Sequence, residues 1–123
     1  MKYISTRDNT KEYNFEQVFI KGLADDGGLY VPKTLKKFSA EELIKLKNLN
    51  YNALSAEIIS LFSEDFISKE ELLSLINKSY STFREKEVVK ISNVGEIKLL
   101  ELFHGPTLAF KDVAMQFIGN LYE

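Results

Sequence analysis

The segment Glu101–Phe117, ELFHGPTLAFKDVAMQF, decides how the rest of the chain is read. It holds the single histidine, His104, one of the two prolines, Pro106, and a charged pair, Lys111 and Asp112, set into an otherwise apolar run. Its first residues continue a β-favouring stretch, while Phe110, Ala114, Phe117, Ile118 and Leu121 recur at helical spacing. The order predicts a strand, a turn, and a helix that opens at Pro106-Thr107 with Lys111 near its beginning and Thr107 as a candidate cap. An ammonium at the positive end of a helix dipole, in apolar surroundings of the kind Phe103, Leu108 and Phe110 would supply, is biased towards the neutral, nucleophilic amine. A solvated lysine snorkelling from a helix end, with Asp112 stabilising the first turn, fits the same pattern, and on physical grounds alone it is the commoner occupant.

Working upstream, VVKIS (Val88–Ser92) and IKLLELF (Ile97–Phe103) are β-favouring runs joined by NVGE, which predicts a hairpin. Before it the period is helical. Ser68 with Glu71 signals a helix start ahead of Leu72, Leu73, Ile76 and Tyr80, and Leu54, Ile58, Leu61 and Phe62 share one face of a second helix over Ala53–Phe62. Ser39 with Glu42 forms a capping box that predicts a short helix from Ala40 to about Lys47. These stripes carry no convergent polar groups, so they read as packing surfaces. Asn77-Lys78-Ser79 spells a glycosylation sequon, but inside a predicted helix it reads as chance.

At the start of the chain KYIST reads as a short strand, Phe15, Val18, Phe19 and Leu23 as a helix, and Leu29–Val31 as a second strand ended by Pro32. The Asp25-Asp26-Gly27-Gly28 cluster between them matches neither a P-loop nor a dinucleotide fingerprint, and a turn with positive φ is the better reading. Arg7 is expected to be solvated. His104, in a turn sequence, reads as a hydrogen-bonded scaffold residue, and Asp112 as a source of local hydrogen bonds and helix-start electrostatics rather than of proton transfer.

Composition narrows the function classes. The 123 residues, 45% hydrophobic and 28% charged, can bury one core of ordinary size. A net charge of −2 with lysines dispersed among glutamates makes nucleic acid or an anionic membrane a poor partner. No apolar run is long enough to cross a bilayer, and MKYISTRDN lacks the apolar core of a secretory signal, so a cytoplasmic location is expected. Without cysteine there is no thiolate nucleophile, and one histidine cannot build a histidine-rich zinc site, so no metal centre is expected.

The run LELFHGPTLAFKD closely resembles the cofactor-lysine segment of threonine synthases, and YISTR and GLADDGGLYVP resemble that family's opening segments, in the same order. The resemblance covers the whole chain in outline. It implies an α/β enzyme of fold type II, the tryptophan synthase β-like group, with α+β character over these residues: residues 1–84 as a small helical N-terminal domain with short strands, and residues 85–123 as the beginning of the domain that binds pyridoxal 5'-phosphate. It implies that Lys111 is both the cofactor-binding Schiff-base lysine and the catalytic acid-base group. The implied reaction converts O-phospho-L-homoserine and water into L-threonine and phosphate. Family members are several times longer, which implies that the loops holding the cofactor phosphate lie beyond Glu123. A truncated piece, inactive by itself and prone to self-association, is the expectation. Two other readings stay open: a free-standing binding or assembly module, and a threonine synthase-like lyase acting on phosphohomoserine without making threonine.

Overall fold

The computed structural model describes residues 1–123, a mixed α+β chain that divides into two compact units, 1–48 with 57–69 and 49–56 with 70–123. No helix is long and apolar enough to cross a membrane.

In the first unit β1 (Tyr3–Ser5) pairs antiparallel with β2 (Tyr30–Pro32), Ile4 lying opposite Val31. Strands of three residues gain little from their ladder, so side chains fix them. Tyr3 is buried and its hydroxyl donates to the Phe62 carbonyl at 2.8 Å. Burial, with the nearby Asp65 carboxylate adding to it, pushes the Tyr3 phenol up to about 12. Its ring meets Phe15, which stacks on Phe19 at 5.6 Å and touches Phe66. Phe15 opens α1 (Phe15–Lys21), whose start is fixed by a reciprocal cap: Asn14 Oδ1 accepts from the Gln17 N–H, and Gln17 Oε1 accepts from the Asn14 N–H, both at 2.9 Å. The Ser39–Glu42 box caps α2 (Ala40–Lys47) as its sequence predicts.

The second unit takes the first turn and a half of α3 (Tyr51–Ser63) and nearly all of α4 (Lys69–Tyr80). Leu72 and Ile76 of α4 are fully buried, one turn apart on one face, with Tyr80, Val88 and Phe117 in the same unit's core. Tyr80 meets Tyr51 and Phe83 edge-on and donates its hydroxyl to the Val113 carbonyl at 2.9 Å, and burial raises its pKa. That bond ties α4 to α5 (Asp112–Leu121), as does Asn120, whose Nδ2 donates to Ser79 Oγ at 3.2 Å.

The hairpin forms as β3 (Lys90–Val94), two residues later than its sequence suggests, and β4 (Ile97–Glu101), which starts where expected and ends two residues sooner. Val88 is buried with φ of 60°, outside the strand, because its N–H closes a turn onto the Glu85 carbonyl. Asn93 and Val94 are strand residues, and the turn is Gly95-Glu96 alone, with Gly95 at φ 62°, the conformation that the first position of a type II′ turn requires. Pairing Val94 with Ile97 and Ser92 with Leu99 puts those apolar residues on one face, while Ile91 and Leu100 pair on the other. All five are exposed.

Candidate active site

The strand β4 delivers the chain into a short anchored turn. Glu101, its last residue, has its Oε2 2.7 Å from His104 Nε2, and both side chains are largely buried. Hydrogen bonds from Ser92 and His104 hold the Glu101 carboxyl below its usual range. The His104 carbonyl accepts the Arg84 N–H at 2.9 Å. His104 is therefore held by side chain and backbone.

Residues 105–111 then run through consecutive tight turns, the Leu108 N–H reaching the Gly105 carbonyl and the Asp112 N–H the Ala109 carbonyl. Leu108 sits at φ 63°, a left-handed conformation that non-glycine residues rarely adopt. Asp112 closes the segment. Its Oδ2 accepts the Thr107 N–H and its Oδ1 the Thr107 hydroxyl, each at 2.8 Å. It is buried, and a Cβ on Gly105 would lie 2.4 Å from the Asp112 Cβ, so only glycine fits beneath it. Desolvation alone would raise the Asp112 pKa, but the hydrogen bonds from Thr107 outweigh it and hold the carboxyl below its ordinary value.

This clasp moves the helix start. Pro106-Thr107 does not open α5 and Thr107 does not cap it, because the Thr107 N–H and hydroxyl are both spent on Asp112; Lys111 itself is the N-cap residue, with no side-chain capping bond. Lys111 keeps helical dihedrals and is exposed, lining an open concavity of about 470 Å³ with Leu102, Phe110, Val113, Ala114 and Met115. Phe110 is thus part of the apolar surroundings, whereas Leu102 takes the place expected of Phe103 and Leu108. The Lys111 amine is the one ionisable group in that lining. An apolar concavity with a single primary amine suits a flat carbonyl-bearing ligand that condenses with nitrogen.

In the first unit Ser5, Thr6 and Arg7 interlock with the Asp-Asp-Gly-Gly cluster. Ser5 Oγ donates to Asp26 Oδ1, the Thr6 N–H to the Leu29 carbonyl, and Arg7 Nη1 to the Asp26 carbonyl at 3.1 Å. Arg7, expected to be solvated, is exposed but tied to this loop. Gly27, at φ 76°, supplies the positive-φ turn the cluster predicts. The Asn14–Gln17 cap was not anticipated, although its Asn-x-x-Gln spacing was there to be read.

The family model for the threonine synthase N terminus matches residues 2–80. Threonine synthase from Schizosaccharomyces pombe is 41% identical over 125 residues, covering 100% of this chain and 24% of that protein. Threonine synthase-like 2 from Pongo abelii is 39% identical over 125 residues, covering 100% of this chain and 26% of that protein. The solved structure of PLP-bound threonine synthase from Brucella melitensis superposes with a TM-score of 0.93 at 37% identity, over 98% of this chain and 26% of that one. The chain thus spans about a quarter of the length of the relatives it matches. With the motif segments, the α+β fold and the family model in agreement, the chain belongs to the threonine synthase family and corresponds to its N-terminal region.

Proposed function

We propose that this chain is the N-terminal part of an enzyme that converts O-phospho-L-homoserine and water into L-threonine and phosphate with pyridoxal 5'-phosphate. The observation that carries the reading is Lys111: a single amine on an apolar concavity, presented by a clasped turn inside the family's lysine segment. The lining fits the cofactor, since Lys111 Nζ would hold its aldehyde carbon and Phe110, Leu102 and Met115 offer apolar surface to a ring. When bound, pyridoxal phosphate supplies the electron sink for carbanions of the substrate. Lys111 Nζ would be the group in this chain that accepts and returns protons. Residues 1–84 form the N-terminal domain and 85–123 begin the cofactor domain, of fold type II. The enzyme works in the cytoplasm, and the 123 residues alone are inactive.

Borohydride reduction of the intact enzyme tests this. Pyridoxal phosphate should be fixed on Lys111, within the peptide Phe110–Glu123, and phosphate release from O-phospho-L-homoserine should yield threonine. An adduct on another lysine in active enzyme would reject the assignment. A second reading is a threonine synthase-like lyase that acts on phosphohomoserine without making threonine. Phosphate release without threonine would select it.

A further inference from the structure

The reading of Lys111 as the cofactor lysine leaves open what aims it. Lys111 lies inside the loop closed by the Thr107–Asp112 hydrogen bonds, with four residues between the two partners. Both carboxylate oxygens are engaged, and the side chain is 3% exposed against Gly105. The loop's other constraint is Leu108 at φ 63°, a conformation that relaxes unless its surroundings enforce it. Beyond the loop, the Lys111 carbonyl accepts the Met115 N–H at 2.8 Å and begins the α5 ladder. Lys111 is thus the junction between a strained clasp and a rigid helix.

We infer that Asp112 is a positioning residue for Lys111: by holding the N–H and hydroxyl of Thr107 while packing on Gly105, it fixes the backbone from which the Lys111 amine projects to the Leu102–Met115 concavity. The role rests on the Lys111 assignment and is distinct from a share in the chemistry, because both Asp112 oxygens are committed to Thr107. It accounts for three residues of the segment together, since Gly105, Thr107 and Asp112 form one clasp. Asn at 112 would keep the clasp, its carbonyl accepting the Thr107 N–H and its amide donating to Thr107 Oγ1. Ala at 112 would abolish it, and Thr107→Val would remove half of it.

The test is the rate at which cofactor-stripped intact enzyme regains its visible absorbance on adding pyridoxal phosphate, measured well below each variant's melting temperature. Hydrogen exchange over residues 105–110 is followed in parallel. Asp112→Ala should slow loading of Lys111 by about a hundredfold, Thr107→Val by about tenfold, and Asp112→Asn by less than about threefold, the scale expected for misplacing a reacting group by an ångström. Exchange over 105–110 should quicken in the same order. A purely structural role would lower melting temperatures and open the turn without slowing loading, so wild-type loading in Asp112→Ala despite faster exchange would overturn the inference. Should Asp112→Ala fail to fold, Thr107→Val decides, and wild-type loading there overturns it equally. Borohydride labelling of the wild type separates the two claims: a label on another lysine defeats the Lys111 assignment, and the positioning role with it.

Discussion

Ser5 Oγ donates to Asp26 Oδ1 at 2.8 Å, joining two sequence motifs that lie 21 residues apart. The same Asp26 oxygen accepts the Gly28 N–H at 2.7 Å, and Ser5 Oγ in turn accepts the Arg7 N–H at 3.1 Å. The opening segments of the chain are therefore one piece of structure, in which β1 and the loop before β2 are cross-braced.

Gly28 is where that brace is least tolerant. A Cβ there would lie 2.3 Å from Ser5 Oγ and 2.9 Å from Asp26 Oδ1. Gly28→Ala should destabilise the chain by about 1–3 kcal/mol, the range for overpacking a close contact. Ser5→Ala, which leaves Asp26 bonded to the Gly28 N–H, should cost about 1 kcal/mol. Urea denaturation measures both, and a Gly28→Ala midpoint equal to the wild type would contradict the brace.

In the second unit Leu72 and Ile76 are completely enclosed, while their neighbour Leu73 is 36% exposed. Leu72→Ala or Ile76→Ala should each cost about 2–5 kcal/mol, as buried large-to-small changes do. Leu73→Ala should cost under about 1 kcal/mol, as changes at exposed positions do. Thermal unfolding of the three variants gives the comparison, and equal losses at positions 72 and 73 would mean that the buried face of α4 is misassigned.

How legible this was in the sequence varies with the range of the interactions involved. The Ser39–Glu42 cap, the existence of a hairpin, and Leu72, Ile76 and Tyr80 of the α4 stripe are set by residues within one or two turns of each other and read correctly, whereas Leu73 of that stripe is exposed. The start of α5 did not. Pro106 is a good first helical residue by local preference, but Asp112 reaches back five residues to occupy Thr107, a bond that periodicity cannot show. The first strand of the hairpin starts later than Val88 for a similar reason, since the turn onto Glu85 that buries Val88 removes it from the ladder. At the candidate site, Lys111 stood out by residue type and by family resemblance, whereas the lining contributed by Leu102, Val113 and Met115 required the fold.

Tyr3 makes a pH-dependent prediction. Its folded pKa, raised to about 12 by burial and then by Asp65, exceeds the ordinary value of 10.0. Below pH 10 the phenol is neutral in both states and its contribution is fully present. Between pH 10 and 12 the unfolded chain loses the proton first, so stability falls as pH rises through that window. Tyr3→Phe should show a shallower loss of melting temperature from pH 10 to 12 than the wild type, together with a lower stability at pH 7 from losing the bond to Phe62. Parallel alkaline curves for the two proteins would refute the assignment.

Cofactor binding by the 123 residues alone should be weak. Apart from Lys111, the concavity is lined by Leu102, Phe110, Val113, Ala114 and Met115, whose side chains offer no donor to a phosphate. A carbonyl–amine bond unsupported by such contacts hydrolyses readily. Titration with pyridoxal phosphate should give visible absorbance that does not saturate and differs little from a Lys111→Ala control, and no phosphate should be released from O-phospho-L-homoserine. Saturable, Lys111-dependent binding with turnover would show that these residues hold a complete site.

The hairpin gives the same chain a tendency to self-associate. Ile91, Val94, Ile97, Leu99 and Leu100 are each between 48% and 68% exposed, on both faces of a two-stranded ribbon that also has two open edges. Isolated two-stranded ribbons are marginal in water, and contiguous apolar exposure of this kind is uncommon on monomers. Burial of these side chains between copies is therefore favourable, at about 25 cal/mol for each Å² removed from water. Sedimentation velocity should show concentration-dependent oligomers at neutral pH that persist at high salt, since the driving force is apolar. Replacing Ile97 and Leu99, neighbours on one face of β4, by Lys should shift the distribution towards monomer while leaving the helical circular dichroism unchanged, because neither residue contributes to the buried core of its unit. Oligomers that form equally well in that double variant would place the contact elsewhere on the chain.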